Sequence, residues 1–240
     1  MVLDRDVSIT WLGHSTFRIT SPSGKTLLVD PWLDANPACP RAQKDPGDLD
    51  ALLITHGHLD HVGDAVRLGR ERDVDVVACF EMARWLERKG VRRTRPMNKG
   101  GTRDLLGFQV TMVYADRSCG IEEDDGSIVY GGAACGFVVT FGNGFRVYHA
   151  GDTNVFGDMR LIGELYAPDV ALLPIGDIYT MGPREAALAV KLLGVRRVVP
   201  MHFGTFDELT GTPRALRAQL DALGLERVQV IELAPGQTLT

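Results

Sequence analysis

The chain has 240 residues, 45% of them hydrophobic and 24% charged, which excludes a disordered or fibrous protein. Its 26 Lys and Arg against 31 Asp and Glu give a net charge of −5, which argues against a protein that coats nucleic acid or an anionic membrane. No apolar run approaches the roughly 20 residues of a membrane span. Because the four cysteines are widely spaced and no apolar export signal is visible, we expect reduced thiols and a cytoplasmic location.

The first half of the chain contains strand-like runs rich in Val, Ile, Leu and aromatic residues. Strands are predicted over residues 7–12, 17–20, 25–30, 51–55 and 74–78. Helices are predicted over about residues 62–72 and over residues 80–89, the second one ending at Gly90. Ser21-Pro22-Ser23-Gly24 has the composition of a hairpin turn.

The second half repeats this order of elements. Strands are predicted over residues 108–114, 136–141, 145–149, 170–174, 198–201 and 228–232, and helices over residues 158–166, 183–193 and 213–223. In each half, closely spaced strands precede alternating helices and strands, which favours an α/β fold of two sheets packed face to face with helices outside. No linker rich in Pro, Gly or Ser divides the chain, so a single domain over residues 1–240 is predicted.

The most informative segment is Thr55-His56-Gly57-His58-Leu59-Asp60-His61, between a predicted strand and a predicted helix. Side chains at positions i and i+2 of extended backbone point the same way, so His56 and His58 can converge on one metal ion. Asp60 and His61, where the chain turns into the helix, can reach a second ion nearby. The alternative is an ordinary helix start, with Asp60 as the capping residue and solvated histidines.

Two further strand ends carry side chains of the same kind. Asp152 follows a predicted strand after a turn of small residues, and His202 ends another strand. A carboxylate can bridge two metal ions, and imidazole suits zinc, iron, nickel or manganese. The alternatives are that Asp152 forms a turn and that His202 is a core histidine with satisfied hydrogen bonds.

These motifs, in this order, resemble those of the metallo-β-lactamase superfamily. Further strings narrow the resemblance: Trp11-Leu12-Gly13-His14-Ser15-Thr16-Phe17, Val29-Asp30-Pro31, His149-Ala150-Gly151-Asp152-Thr153, Pro174-Ile175-Gly176-Asp177 and Tyr179-Thr180-Met181-Gly182-Pro183. They are similar to the bacterial and archaeal metal-dependent hydrolase branch, which is related to ascorbate-6-phosphate lactonase-like proteins. The similarity extends from about residue 7 to residue 232.

The resemblance implies a four-layer αββα sandwich with a metal centre between the sheet edges. It assigns the ligands of two ions: His56 and His58 to the first, Asp60, His61 and His202 to the second, and Asp152 to both. It implies catalytic roles for Asp60, Asp152 and His14. Around them it places an orienting carboxylate and two pocket residues: Asp30, Asp177 and Met181.

One position departs from the family pattern. The family usually supplies a third histidine to the first ion within Ala-x-His-Ser-Ser, whereas this chain reads Ala115-Asp116-Arg117-Ser118-Cys119. A guanidinium stays protonated and cannot bind a metal ion. Asp116, Cys119 or His14 are the candidates to replace the histidine. Three outcomes stay open: one ion at the second position, two ions with rearranged ligands, or Arg117 as a contact to an anionic substrate.

The resemblance implies hydrolysis by metal-activated water of a small ester, lactone or phosphorylated substrate. The expected cofactor is one or two divalent ions, zinc first, with manganese, iron or nickel as alternatives. The other functions considered are a phosphodiesterase or nuclease of the same superfamily and a non-catalytic metal- or ligand-binding protein. We expect a small-molecule substrate and no nucleic-acid or membrane partner. Whether the chain forms a homo-oligomer is left open.

Overall fold

A computed structural model describes residue 3 and residues 6–240 of the chain. The strands of the first half are β1 (Ser8–Trp11), β2 (Phe17–Thr20), β3 (Thr26–Val29), β4 (Ala51–Leu53), β5 (Asp75–Cys79) and β6 (Thr94–Met97). Those of the second half are β7 (Thr102–Leu105), β8 (Phe108–Tyr114), β9 (Gly120–Glu122), β10 (Ile128–Tyr130), β11 (Cys135–Phe141), β12 (Arg146–His149), β13 (Val170–Pro174), β14 (Arg197–Met201), β15 (Gln229–Val230) and β16 (Thr238–Leu239).

The α-helices are α1 (Leu59–Val62), α2 (Ala65–Glu71), α3 (Phe80–Arg88), α4 (Met159–Tyr166), α5 (Pro183–Leu193) and α6 (Pro213–Ala222). Helix α5 begins with Pro183 at its first turn and ends at Gly194, whose left-handed backbone (φ 67°) closes the helix as predicted. In the part of the chain described here, no helix combines the length and the apolar character required to cross a bilayer.

Two seven-stranded sheets contain most of the strands. Their orders are β16-β1-β2-β3-β4-β5-β6 and β15-β14-β13-β12-β11-β8-β7, and β9 and β10 form a separate hairpin. Neighbouring strands are antiparallel from β16 to β3 and from β7 to β12, and parallel from β3 to β6 and from β12 to β15. The parallel pairs need crossover connections, and the helices supply most of them.

The alternation of side chains along strand β13 shows how the layers are arranged. Leu172 belongs to the core between the two sheets, whereas Ala171 and Leu173 pack against the helical layer formed by α4, α5 and α6. Helices α2 and α3 bury Leu68 and Leu86 against the first sheet. The mixed α/β fold and the two facing sheets predicted from the sequence are therefore confirmed.

Several elements coincide with the sequence prediction, and others differ. Strands β2, β8 and β13 and helix α5 have the predicted bounds. The helix predicted over residues 62–72 is wrong: two helices, α1 and α2, meet there. The break lies at Asp64, because its carboxylate accepts hydrogen bonds from the backbone amides of Leu33 and Asp34 and its own amide donates to Pro31.

The strands missed by sequence analysis are short and lie at sheet edges or outside the sheets. They are β6, β7, β9, β10 and β16. Edge strands have a face or a flank in solvent, so they lack the apolar pattern that marks a central strand. The strand predicted over residues 228–232 is reduced to Gln229–Val230 and is not the last, because β16 returns to pair with β1.

The order of the strands brings particular chain segments together. Strands β1, β3 and β4 run in one direction in the first sheet, and β8, β12 and β14 run in one direction in the second. The segments that follow these six strands contain every metal ligand predicted from the sequence. The carboxyl ends of parallel strands are the usual position of a binding site in layered α/β folds.

A substitution at Gly176, which follows β13, tests this packing. A Cβ at this position would lie 2.0 Å from the carbonyl oxygen of His202, so Gly176→Ala must displace that backbone. We expect a loss of about 1–3 kcal/mol or more in the free energy of unfolding, measured by urea denaturation. Gly157→Ala is the control, because its Cβ would meet nothing within 4 Å. Equal unfolding free energies for the two variants would show that the contact is not limiting.

Candidate metal centre

The stretch from the end of β4 through α1 carries four of the predicted ligands. Residues 54–57 belong to no helix or strand, and His58, the N-terminal boundary residue of helix α1, has an extended backbone (φ −70°, ψ 147°). The rings of His56 and His58 lie on the same side of this segment, with His56 Nε2 3.0 Å from His58 Nδ1. Asp60 and His61 lie in the helix that follows, so the turn from strand to helix separates the two pairs as the spacing predicts.

Asp30, at the end of β3, holds this segment in place. Its carboxylate accepts hydrogen bonds from the Thr55 amide (2.8 Å), the Thr55 hydroxyl (2.7 Å) and His61 Nδ1 (2.8 Å). As a metal ligand the His61 ring is neutral, so that Nδ1 donates to Asp30 and the lone pair of Nε2 is directed towards Asp152 and Asp60. Asp30 thus contacts both ends of the segment, and its orienting role stays a prediction.

Asp152 and His202 approach from the second sheet. Asp152 follows the turn after β12. In this turn Gly151 has φ +63°, and a Cβ added at this position would lie 2.7 Å from the Cys135 carbonyl oxygen. Asp152 Oδ1 lies 3.2 Å from His61 Nε2, and its Oδ2 lies 3.3 Å from His202 Nε2. Asp60 Oδ2 lies 3.7 Å from His61 Nε2 and 3.8 Å from His202 Nε2. These four side chains form the cluster around which the centre is built.

The cluster fits a divalent cation. His61 Nε2, both oxygens of Asp152 and both ring nitrogens of His202 are buried and have no hydrogen-bond partner among the described residues. Ligands about 2.0–2.1 Å from a tetrahedral ion are separated from one another by roughly 3.4 Å, close to the separations found here. Imidazole and carboxylate together are ligands for zinc, iron, nickel or manganese.

The electrostatics of the cluster also call for a cation. Burial lowers the pKa of His61, but the Asp152, Asp60 and Asp30 carboxylates outweigh it and raise that pKa well above its ordinary value. Burial opposes the ionisation of Asp152, yet the nearby His202 and His61 charges hold its pKa well below the usual range. The carboxylates therefore stay ionised, and their charge needs a positive partner inside the protein, which either a protonated His61 or a bound cation supplies.

His14 joins the cluster through Asp60. Its Nε2 lies 2.9 Å from Asp60 Oδ2, and its Nδ1 lies 3.0 Å from the Thr205 hydroxyl. Burial lowers the pKa of His14 to about 4, so the ring is neutral at pH 7 and carries one proton. That proton lies on Nε2, facing the carboxylate, and Nδ1 accepts a hydrogen bond from Thr205. His14 therefore lies beside the cluster, and its accessory role stays a prediction.

Three of these residues have an unusual backbone conformation. His14, Asp30 and His202 have φ values of 55°, 49° and 54°, in the left-handed region that non-glycine residues seldom adopt. Such conformations cost on the order of 1–3 kcal/mol each and are concentrated at functional sites. The fold thus holds the centre in a strained geometry that the packing around it must stabilise.

Arg117 lies beside the histidine pair predicted to hold the first ion. One guanidinium nitrogen is 3.5 Å from His58 Nδ1 and 3.4 Å from Asp152 Oδ2. Of the suggested replacements, Asp116 is exposed, the Cys119 thiol donates to the Gly131 carbonyl, and His14 is paired with Asp60. Neither Asp116 nor Cys119 belongs to a ligand cluster of the described residues. With a permanent cation beside two imidazoles and one carboxylate, the residues present do not fit a metal ion at the first position.

A cavity of about 420 Å³ lies over the centre. Its lining comprises His14, His58, Asp60, Arg117, Tyr179, His202 and Phe206. Sequence analysis assigned no role to Tyr179, Thr205 or Phe206. Each lies a few residues beyond the end of a predicted strand, and this position is the sequence feature that could have identified them as site residues. Met181 lies instead in the apolar core beside α5, and the Asp177 carboxylate accepts a hydrogen bond from the Ile178 amide; neither residue lines the cavity.

Asp30→Asn tests the orientation of His61. We expect the dissociation constant for Zn²⁺ to rise about 10–100-fold, because Asn has a single acceptor oxygen and its NH₂ group would face either the Thr55 amide or the pair formed by the Thr55 hydroxyl and His61 Nδ1. Isothermal titration of the metal-stripped protein measures it. Asp34→Asn, an exposed change in the loop that follows, is the control. Unchanged affinity in Asp30→Asn would show that the contact does not support metal binding.

Comparison with known proteins identifies the family. A family model described as "Beta-lactamase superfamily domain" matches residues 25–203. The UPF0173 metal-dependent hydrolase of Rubrobacter xylanophilus is 52% identical over 231 residues, which cover 96% of this chain and 95% of the relative. That of Koribacter versatilis is 50% identical over 232 residues, 97% of each chain.

Solved structures agree with this result. The structure of Igni18, described as a novel metallo hydrolase from Ignicoccus hospitalis, matches with a TM-score of 0.82 and 36% identity over 97% of both chains. The resemblance inferred from the motifs is thereby confirmed. The chain belongs to the metallo-β-lactamase superfamily and is one of its metal-dependent hydrolases.

Proposed function

We propose that the protein hydrolyses a small ester, lactone or phosphorylated substrate in the cavity above Asp60 and His202. The observation that carries this proposal is that a cavity of about 420 Å³ shares three of its lining residues with the metal-binding cluster: His14, Asp60 and His202. This volume lies within the range of small-molecule sites, roughly 300–1,000 Å³. It supports a small-molecule substrate rather than a nucleic acid.

We propose zinc as the ion, held by Asp60, His61, Asp152 and His202, since imidazole and carboxylate are the ligands of catalytic zinc. When bound, such an ion supplies Lewis acidity and brings the pKa of a water molecule towards about 7. The buried side chains around it exclude bulk water, so electrostatic interactions at this point are strong.

Asp60 is placed to orient the attacking water. Its side chain is 30% exposed, whereas that of Asp152 is 1% exposed, so Asp60 is the carboxylate that a water molecule in the cavity can reach. His14 donates to Asp60 Oδ2, and Thr205 in turn fixes the His14 ring. Burial opposes ionisation of Asp60, but the His61 charge and the His14 hydrogen bond outweigh it and hold its pKa below the usual range. The carboxylate can therefore accept a hydrogen bond from water.

Tyr179 and Phe206 give the cavity its apolar surface. Both rings are partly exposed, and Phe206 packs edge-on against His14 with ring centroids 5.8 Å apart. Aromatic walls beside a few polar groups are typical of small-molecule sites, in which the walls bind the body of the ligand and the polar groups orient it. A substrate with a modest apolar portion fits this arrangement.

A panel of chromogenic substrates tests the proposal. We expect Zn²⁺-loaded protein to hydrolyse 4-nitrophenyl esters or a simple lactone, or else 4-nitrophenyl phosphate, and a chelator to abolish the turnover. Preferential cleavage of bis-4-nitrophenyl phosphate would favour a phosphodiesterase instead. Protein that binds metal but is inactive on the whole panel would contradict the proposal and favour a binding function.

Asp60→Asn tests the role of the carboxylate. We expect kcat/KM on the best substrate to fall by about 100-fold or more, because a water-orienting acceptor is lost beside the ion. Glu81→Gln is a matched control, since Glu81 is likewise the second residue of a helix that follows a strand, namely α3. A fall of less than threefold in Asp60→Asn, with metal content unchanged, would contradict the role.

A further inference from the structure

We propose that the centre holds one metal ion only, and that the guanidinium of Arg117 stands in the place of a second ion and binds an anionic group of the substrate. The part about the substrate rests on the hydrolytic function proposed above. The part about the metal content does not.

The first step concerns how many ions the described ligands can serve. Two overlapping groups approach metal-binding geometry: His14, Asp60, His61 and His202, and His56, His61 and Asp152. His61 belongs to both groups, but its Nδ1 is hydrogen-bonded to Asp30. Only Nε2 is free, so His61 can bind a single ion. Once His61 serves the first of these groups, the second retains His56 and Asp152, with His58 as the other imidazole on this side.

The second step concerns what lies beside that remaining pair. The terminal nitrogen of Arg117 is 3.4 Å from Asp152 Oδ2, nearer than His56 Nε2 at 3.8 Å. It is also 3.5 Å from His58 Nδ1, the other imidazole on this side. The same ligand atoms would have to bind a divalent ion next to a permanent positive charge, which repels it. Because the guanidinium of Arg117 forms an ion pair with Asp152, this carboxylate does not need a second metal ion as its counter-charge.

The third step is the charge of the buried centre. One divalent ion and one guanidinium together balance the three carboxylates of Asp30, Asp60 and Asp152. A second divalent ion would leave an excess of two positive charges beside residues that are almost wholly buried. Uncompensated charge in such surroundings is strongly unfavourable. Neutrality therefore favours one ion.

The fourth step is that the backbone holds Arg117 in this position. The amide of the preceding residue, Asp116, donates to the Thr153 hydroxyl (2.9 Å), and the Asp116 carbonyl accepts from the Asn154 amide (3.1 Å). These bonds tie the loop after β8 to the turn that carries Asp152. The guanidinium is thus fixed relative to the carboxylate by the backbone as well as by charge.

The last step is the link to the substrate. Arg117 lines the cavity, its side chain is 20% exposed, and its Nε has no hydrogen-bond partner in the described part of the chain. A guanidinium presents five donors in a planar fork, which matches a carboxylate or phosphate group. An ester or lactone that carries such a group would place it against Arg117 and its apolar portion against Tyr179 and Phe206.

Metal analysis tests the first part. Wild-type protein is incubated with excess Zn²⁺, desalted and analysed by ICP-MS, alongside Arg117→His and the exposed control Arg160→His. We expect about one ion per chain in the wild type and in the control, and about two in Arg117→His, with circular dichroism confirming folding. Two ions in the wild type, or one in folded Arg117→His, would overturn the proposal and leave the hydrolase function intact. A wild type without any ion would overturn both.

Two esters that differ in charge test the second part. We expect wild-type kcat/KM to be higher for mono-(4-nitrophenyl) glutarate than for uncharged 4-nitrophenyl acetate. Arg117→Gln should reduce that ratio about tenfold or more, mainly through KM, because a charge-assisted hydrogen bond is lost. Arg117→Lys should retain part of it, since the charge remains without the fork. A ratio unchanged in Arg117→Gln would overturn the substrate contact, while turnover of both esters would still support the hydrolase.

Discussion

The buried carboxylate of Asp152 is the group on which the rest of the centre depends. Its two oxygens face His61, His202 and Arg117, and none of them forms a close hydrogen bond to the carboxylate in the described structure. An ionised carboxylate in such surroundings is stable only if positive charge lies nearby. That requirement explains why three basic side chains from three separate chain segments converge here, and why a metal ion completes the arrangement.

Two sheets are needed to bring these charges together. The first sheet contributes Asp30, His56 and His61 from adjacent parallel strands, and the second contributes Asp152 and His202. Neither sheet alone would surround a bound ion. The left-handed backbone at Asp30 and His202 shows that the chain is held against its local preference at this junction. The large core between the sheets supplies the stability that this strain requires.

Arg117 changes the chemistry that such a centre can perform. If two metal ions were bound, both of the positive charges that stabilise a developing anion would come from ions that can dissociate. A guanidinium supplies one of these charges covalently, at all accessible pH values, and with directional donors. In the arrangement that we propose, its charge contributes to substrate selection as well as to charge balance, which would link the metal content of the protein to a preference for anionic substrates.

Much of this protein follows from its sequence alone. The strand-to-helix position of His56 to His61, the strand-end positions of Asp152 and His202, and the facing sheets are local patterns of hydrophobicity and spacing. Sequence also identified Arg117 as a departure, but left three interpretations open. Tertiary structure decided what those patterns do not contain: which ring nitrogen of His61 is free, that neither Asp116 nor Cys119 belongs to a ligand cluster of the described residues, and that Tyr179 and Phe206 line the cavity. These depend on contacts between residues far apart in the chain, and no local pattern encodes the distance between a loop after β8 and a turn after β12.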